Sequence, residues 1–329
     1  MSLLINRRRA LAALAGALPA SRALAAPSGK SMEGAFIIMG TPYKEDKSVD
    51  FDDLAGEVDF LDRSRVQGMV WPQMASEYNF LTEDERMQGM EVIAKAAKGK
   101  KPALVLGVQA DTTDQMRRYA RYAELLEPDA VIAMPPKQAN SLDDYRDYYS
   151  LLCDIAHRPV FMQTTGGADK VEPTVEFILE MAGKYSNFGY IKEEYKPVIE
   201  RGVQLIEHKK KGGPIKAVFS GAAGRGWTYE MRLGFDGTMP GAMFADIYAL
   251  IWELHGRGRA YQTKMRDVFA NLLLMVNLDQ QIPGVRNYVF QKRGIFKTTV
   301  SRRGDYTWTD AQKAEIDWNL EALKPFFRA

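Results

Sequence analysis

The run Asn187-Phe188-Gly189-Tyr190-Ile191-Lys192-Glu193-Glu194-Tyr195 sets a lysine directly behind aromatic and β-branched residues that read as a buried strand. An ammonium in a dry interior is costly, and burial lowers a lysine's pKa toward the range where the free amine attacks a carbonyl carbon. Lys192 therefore suits Schiff-base chemistry. The strand pattern alone leaves a second reading open, in which Lys192 is half of a buried ion pair with a neighbouring strand or points into solvent just beyond the strand. Residues i and i+2 share a strand face, so Tyr190 and Glu194 point with Lys192, and Glu193 points away toward a structural salt bridge. Glu194 is a candidate counterion for the lysine.

The elements that position this lysine follow a repeating pattern. Strands are expected at Ala35 to Met39, Gly68 to Trp71, Ala103 to Val108, Ala130 to Met134, Val160 to Gln163, Phe188 to Lys192, Ala217 to Phe219 and Gly237 to Met239. Between them lie amphipathic patterns at Glu83 to Lys98, Thr113 to Leu126, Leu142 to Ala156 and Pro173 to Lys184, with apolar residues at three- and four-residue intervals. Thr82 with Glu85 makes a capping box, and Ser141 gives another hydroxyl start. Eight βα units without G-x-G-x-x-G after the first strand favour an α/β fold of the closed (β/α)8 TIM barrel type over an open dinucleotide-binding sheet. The barrel is expected over residues 26–257, with a helical C-terminal extension over 258–329. Active sites on this fold lie at the C-terminal ends of the strands, where Lys192 stands.

Composition excludes several other classes. The 44 basic and 42 acidic residues nearly cancel, so there is no electrostatic footprint for nucleic acid or an anionic membrane. One cysteine, Cys153, rules out an internal disulfide, and His157, His208 and His255 lack metal-ligand spacing. Residues 1–25 read as an export signal of the twin-arginine type: Arg7, Arg8 and Arg9 precede a weakly apolar Ala/Leu run, and an A-x-A site lies at Ala23 to Ala25. The mature chain is expected in the periplasm or secreted, with no membrane span.

An ordered set of short motifs gives the chain a relationship. Gly40-Thr41-Pro42-Tyr43, the run from Met74 to Arg86, Tyr190-Ile191-Lys192-Glu193-Glu194, Val218 to Gly224 and Gly234 to Ala242 follow one another along the chain. In order and spacing they resemble the dihydrodipicolinate synthase and N-acetylneuraminate lyase family of class I aldolases. The resemblance implies a (β/α)8 barrel with a three-helix extension and assembly as a homo-oligomer, a dimer or a tetramer of the dimer-of-dimers kind. It also implies condensation of Lys192 with a pyruvate-like 2-oxo acid, without metal or organic cofactor.

The departures from that pattern are specific. Where the family carries Gly-Thr-Thr-Gly-Glu, this chain reads Gln73-Met74-Ala75-Ser76-Glu77, so both threonine hydroxyls of the carboxylate clamp are missing. Where the family carries a fifth-strand tyrosine that shuttles protons, it has Gln163, whose amide exchanges no proton near neutral pH. The arginine that synthase members use for a second carboxylated substrate falls at Ala168. These losses, and the export signal, argue against dihydrodipicolinate synthesis. Tyr190 is a candidate replacement for the absent tyrosine, and otherwise fills barrel volume.

The expected activity is a Schiff-base lyase, an aldolase or dehydratase acting on 2-oxo acids or their aldol adducts. Lys192 is the nucleophile, with Tyr190 or Thr164 moving protons. Met74, Ala75, Ser76, Gln163 and Met239 are expected to bind substrate. The competing expectation is a periplasmic binder of small carboxylic acids that kept the barrel and lost the chemistry.

Overall fold

The computed structural model describes residues 29–329. The expected export signal lies outside the described residues. Eight parallel strands close in sequence order into a barrel: β1 Gly34–Ile38, β2 Gly68–Trp71, β3 Ala103–Gly107, β4 Ala130–Ala133, β5 Val160–Gln163, β6 Tyr190–Glu193, β7 Ala217–Ser220 and β8 Gly237–Thr238. The connecting helices are α1 Phe51–Arg63, α2 Glu83–Ala96, α3 Thr113–Leu125, α4 Leu142–Ile155, α5 Val175–Lys184, α6 Val198–Lys210, α7 Trp227–Leu233 and α8 Ala245–Gly256. The capping box of Thr82 and Glu85 opens α2, and one of Ser141 and Asp144 opens α4.

The main difference from the expected strands lies in β6, which begins at Tyr190 rather than Phe188. Gly189 has φ +107°, and a Cβ there would lie 2.8 Å from the Pro214 carbonyl oxygen. Its left-handed backbone ends any extension of the strand toward Phe188, which packs instead on Tyr149 at 5.7 Å between ring centroids.

Strand alternation builds two cores. Side chains directed outward join the helices in the larger one, with Ile191 of β6 among them. Side chains directed inward fill the barrel: Phe36, Phe161 and Phe219 form a layer with ring centroids 5.0 to 6.1 Å apart. Tyr190 packs on Phe161 at 5.2 Å and completes that layer. The lumen is therefore filled below Lys192 and opens into a cavity at it, as expected of a barrel that is a packed core and not a pore.

Three more helices follow the barrel: α9 Gln262–Gln281, α10 Val285–Lys292 and α11 Asp310–Leu323. α9 packs on α8 and α11. Arg293, after α10, pairs with Asp246 at the start of α8 at 2.7 Å, both side chains being buried. The segment after α10 also reaches the loop behind β2: Ser301 Oγ donates to Glu77 at 2.7 Å, and the Arg302 N–H donates to the same carboxylate at 3.2 Å. These ties hold the extension against the C-terminal mouth of the barrel.

Candidate active site

Lys192 stands on the inner face of β6, one strand step above Tyr190, and is 4% exposed. Its Nζ donates to Gln163 Oε1 at 3.0 Å and lies 3.2 Å from Glu194 Oε2. Gln163 Nε2 donates to Thr165 Oγ1 at 3.2 Å, and Thr165 Oγ1 donates to Glu194 Oε2 at 3.1 Å. Lys192, Gln163, Thr165 and Glu194 thus form a closed ring of polar contacts, built from the ends of two neighbouring strands whose register pairs Gln163 with Lys192. Each member fixes the next, so the amine is held in one place while part of the ring faces a cavity.

Glu194 receives a further hydrogen bond, from the Ala222 N–H at 2.9 Å. That donor belongs to a constrained turn after β7, in which Ala222 and Ala223 both have positive φ, 48° and 56°. Non-glycine residues in this region cost about 1–3 kcal/mol each and persist where surrounding structure holds them. At Gly221 a Cβ would lie 1.8 Å from Glu194 Oε1, so only glycine lets the carboxylate approach the turn. Burial acts to raise the Glu194 pKa, but the Lys192 charge, the Ala222 N–H and Thr165 outweigh it and hold the carboxyl below its ordinary range. It is an anion at neutral pH, beside the amine.

The site opens into a cavity of about 260 Å³ whose walls include Lys192, Glu194, Met74, Ala75, Met239 and Arg303. Met74, Ala75 and Met239, expected from the sequence to bind substrate, all reach it. Gln163 meets Lys192 directly. Met74 and Ala75 open a short 3₁₀ turn, Met74–Ser76, and their N–H groups have no backbone acceptor among the described residues.

Three expected residues are placed differently. Ser76 Oγ donates to the Met39 carbonyl at 2.6 Å and accepts from the Gln73 N–H at 3.0 Å, so its hydroxyl pins the loop and does not line the cavity. The Thr164 hydroxyl points outward: it donates to Glu193 Oε1 at 2.6 Å and accepts from the N–H groups of Glu194 and Tyr195. It holds the strand ends together and is not presented to the lysine, because residues 163 and 165 share the inner face and 164 does not. Tyr190 does point inward, but it sits one layer deeper on Phe161 and does not line the cavity. Burial raises its phenol pKa. Its position supports filling of the barrel and not proton transfer at Lys192.

Glu193 faces the helices, as strand alternation requires. It lies 3.3 Å from Arg201 Nε of α6, with both side chains buried. Burial raises its pKa against the lowering effect of Arg201.

The sequence reading passed over Thr165, although the i+2 rule that placed Lys192 would have found it on the inner face with Gln163. It also passed over the groups from the extension, Asp279 of α9, Arg286 of α10 and Arg303, which line the cavity.

The chain that carries this inward lysine, its adjoining carboxylate and the loop of open N–H groups after β2 has relatives. The model of the dihydrodipicolinate synthetase family matches residues 31–302. A DapA-like lyase of Pyrococcus furiosus is 26% identical over 230 residues, 68% of this chain and 74% of that protein. A 4-hydroxy-tetrahydrodipicolinate synthase of Parabacteroides distasonis is 25% identical over 164 residues, 50% of this chain and about half (55%) of that relative. Among solved structures, dihydrodipicolinate synthase from Rhodopseudomonas palustris superposes with a TM-score of 0.78 at 24% identity, covering 88% of this chain and 97% of that one. The Acinetobacter baumannii enzyme, solved with pyruvate, gives 0.77 at 17% identity, covering 89% and 99%. With the family matched over most of its length and the barrel shared, the chain belongs to the dihydrodipicolinate synthetase family, lyases of the class I aldolase type.

Proposed function

We propose that this protein is a Schiff-base lyase that acts on 2-oxo acids or their aldol adducts through Lys192, with Glu194 as the group that moves protons. The observation that carries the reading is the 3.2 Å approach of Glu194 Oε2 to Lys192 Nζ at the wall of the cavity. A carboxylate at that distance takes the proton an ammonium must lose before it attacks. The amine nitrogen adds to the ketone carbon, and the carbinolamine expels water to leave an iminium. In the cleaving direction a base removes the proton of the adduct's hydroxyl, the carbon–carbon bond breaks, and its electron pair flows to the iminium as an enamine. Protonation of the enamine carbon and addition of water release the 2-oxo acid and restore the amine. The N–H groups of Met74 and Ala75 are open to the substrate carboxylate, which meets the loss of the threonine hydroxyls. Pyruvate in the related Acinetobacter baumannii structure is in keeping with a substrate of this size.

One observation favours the second reading, a binder of small acids without turnover. Gln163, which carries no titratable proton, takes a hydrogen bond from the lysine, and among the described residues no tyrosine hydroxyl is hydrogen-bonded to that nitrogen. Exchange of pyruvate methyl protons in heavy water separates the two. An enzyme that forms the enamine loses the methyl signal in proton NMR, and Lys192→Arg abolishes the loss. Retention of the methyl protons by the wild type, with pyruvate bound, selects the binder.

We propose further that the chain is exported and works in the periplasm as a homo-oligomer, a dimer or a tetramer. The arginine cluster and A-x-A site of residues 1–25 support export. Cell fractionation, with and without Arg7 and Arg8 replaced by lysine, and light scattering of the mature protein test these two points.

A further inference from the structure

The cavity walls hold three cations and two carboxylates. Lys192 lies 3.2 Å from Glu194, and Arg286 lies 2.6 Å from Asp279. Arg303 is the most loosely paired of the three. Its closest carboxylate oxygen, Oε1 of Glu77, is 4.0 Å away and already accepts from the Ser301 hydroxyl. The Arg303 guanidinium donates to the Met74 carbonyl, which sets it beside the turn that lines the cavity. Arg303 is therefore the cation of the wall least engaged by a carboxylate, and it comes from the C-terminal extension. The rest of the wall is largely apolar, with Ile38, Met239, Met243, Val276 and Phe290.

We propose that this cavity selects acids with a single carboxylate, held by Arg303 together with the neighbouring Met74 and Ala75 N–H groups, and an uncharged aliphatic or aromatic remainder seated against the methionine-rich wall. The proposal rests on the Schiff-base reading for the 2-oxo group, and adds the charge and polarity of what that group is attached to. One carboxylate meets the loosely paired guanidinium. A second meets only wall cations already paired, Lys192 with Glu194 and Arg286 with Asp279, and is desolvated against apolar side chains or repelled by those carboxylates. Flexible methionines fit apolar groups of varied shape.

The test titrates the mature protein calorimetrically with pyruvate, 2-oxobutyrate, 2-oxohexanoate, phenylpyruvate and 2-oxoglutarate, and treats the same mixtures with borohydride for mass mapping. The half-saturating concentration falls by up to about fourfold per methylene added to pyruvate. 2-Oxoglutarate binds at least about tenfold more weakly than 2-oxohexanoate, and Arg303→Gln weakens every monocarboxylate by about tenfold or more, with Arg303→Lys restoring part of the loss. Equal or tighter binding of 2-oxoglutarate, or unchanged half-saturation in Arg303→Gln, overturns the proposal. An adduct on Lys192 without the expected order of acids overturns the selection and leaves the Schiff-base reading standing. The expected order without an adduct upholds the selection and overturns the Schiff-base reading.

Discussion

Glu193 and Glu194 follow one another in the chain and occupy opposite faces of the barrel wall. Glu193 is fully buried among Thr164, the Tyr195 N–H and Arg201, and burial holds its pKa up. Glu194 meets Lys192, Thr165 and the Ala222 N–H at the edge of a cavity, and these partners hold its pKa down. The two threonines that precede Gly166 divide in the same way, Thr164 outward to Glu193 and Thr165 inward to Glu194. One residue of register separates a carboxylate that fastens a strand to a helix from one that can exchange protons with a nucleophile. The type of residue does not make the difference; the face it stands on does.

Substitution of the two glutamates breaks this comparison most sharply. Glu194→Gln lowers turnover by about 10²- to 10⁴-fold, the range for loss of a general acid–base group, with binding of substrate retained. Glu193→Gln leaves the chemical step within a few fold and acts on thermal stability. Equal losses of turnover in the two variants would erase the distinction. Arg201→Ala, which strands the buried Glu193, costs about 3 kcal/mol in unfolding free energy by denaturant titration, reduced to the extent that Glu193 takes up a proton. Gly221→Ala forces Glu194 out of its place and lowers kcat by about tenfold or more while leaving the fold intact by circular dichroism.

Acidity separates the pair by sign. Glu194 has a lowered folded pKa, so its contribution to stability is present above the ordinary carboxylate value and is lost as pH falls through the lowered one. Glu193 has a raised folded pKa, so stability declines as pH rises from the ordinary value through the raised one. In melting curves across acid pH, Glu194→Gln removes part of the acid-side loss and Glu193→Gln removes the decline toward neutrality. The acid limb of kcat/KM set by Glu194 lies below the ordinary carboxylate range. The smallest effects come from the threonines. Thr165→Val lowers kcat by about fivefold with little change in Tm, and Thr164→Val lowers stability by about 1–3 kcal/mol with little change in kcat.

Much of this was legible in the chain. Short apolar runs between amphipathic segments located all eight strands, because burial of both sheet faces leaves that mark, and period-two alternation put Lys192 inside and Glu193 outside. The same rule, applied at the end of β5, would have chosen Thr165 over Thr164. Tyr190 exposed a different limit. Alternation gives the face but not the height along the barrel axis, and two residues amount to about 6.6 Å, a full layer of side chains. Ser76 is expected from the sequence to bind substrate because nothing in the local sequence announces that the Met39 carbonyl accepts from it. Arg303 was invisible for the same reason on a larger scale: it enters the cavity from the far end of the chain through tertiary ties such as Ser301 to Glu77.

The central claim is that Lys192 is a nucleophile and not only half of an ion pair. Borohydride reduction in the presence of pyruvate, followed by peptide mass mapping, tests it most directly. The account predicts one reduced adduct, on Lys192, absent from Lys192→Arg and still formed, more slowly, in Glu194→Gln. An adduct on another lysine, or none where calorimetry shows pyruvate bound, would contradict it.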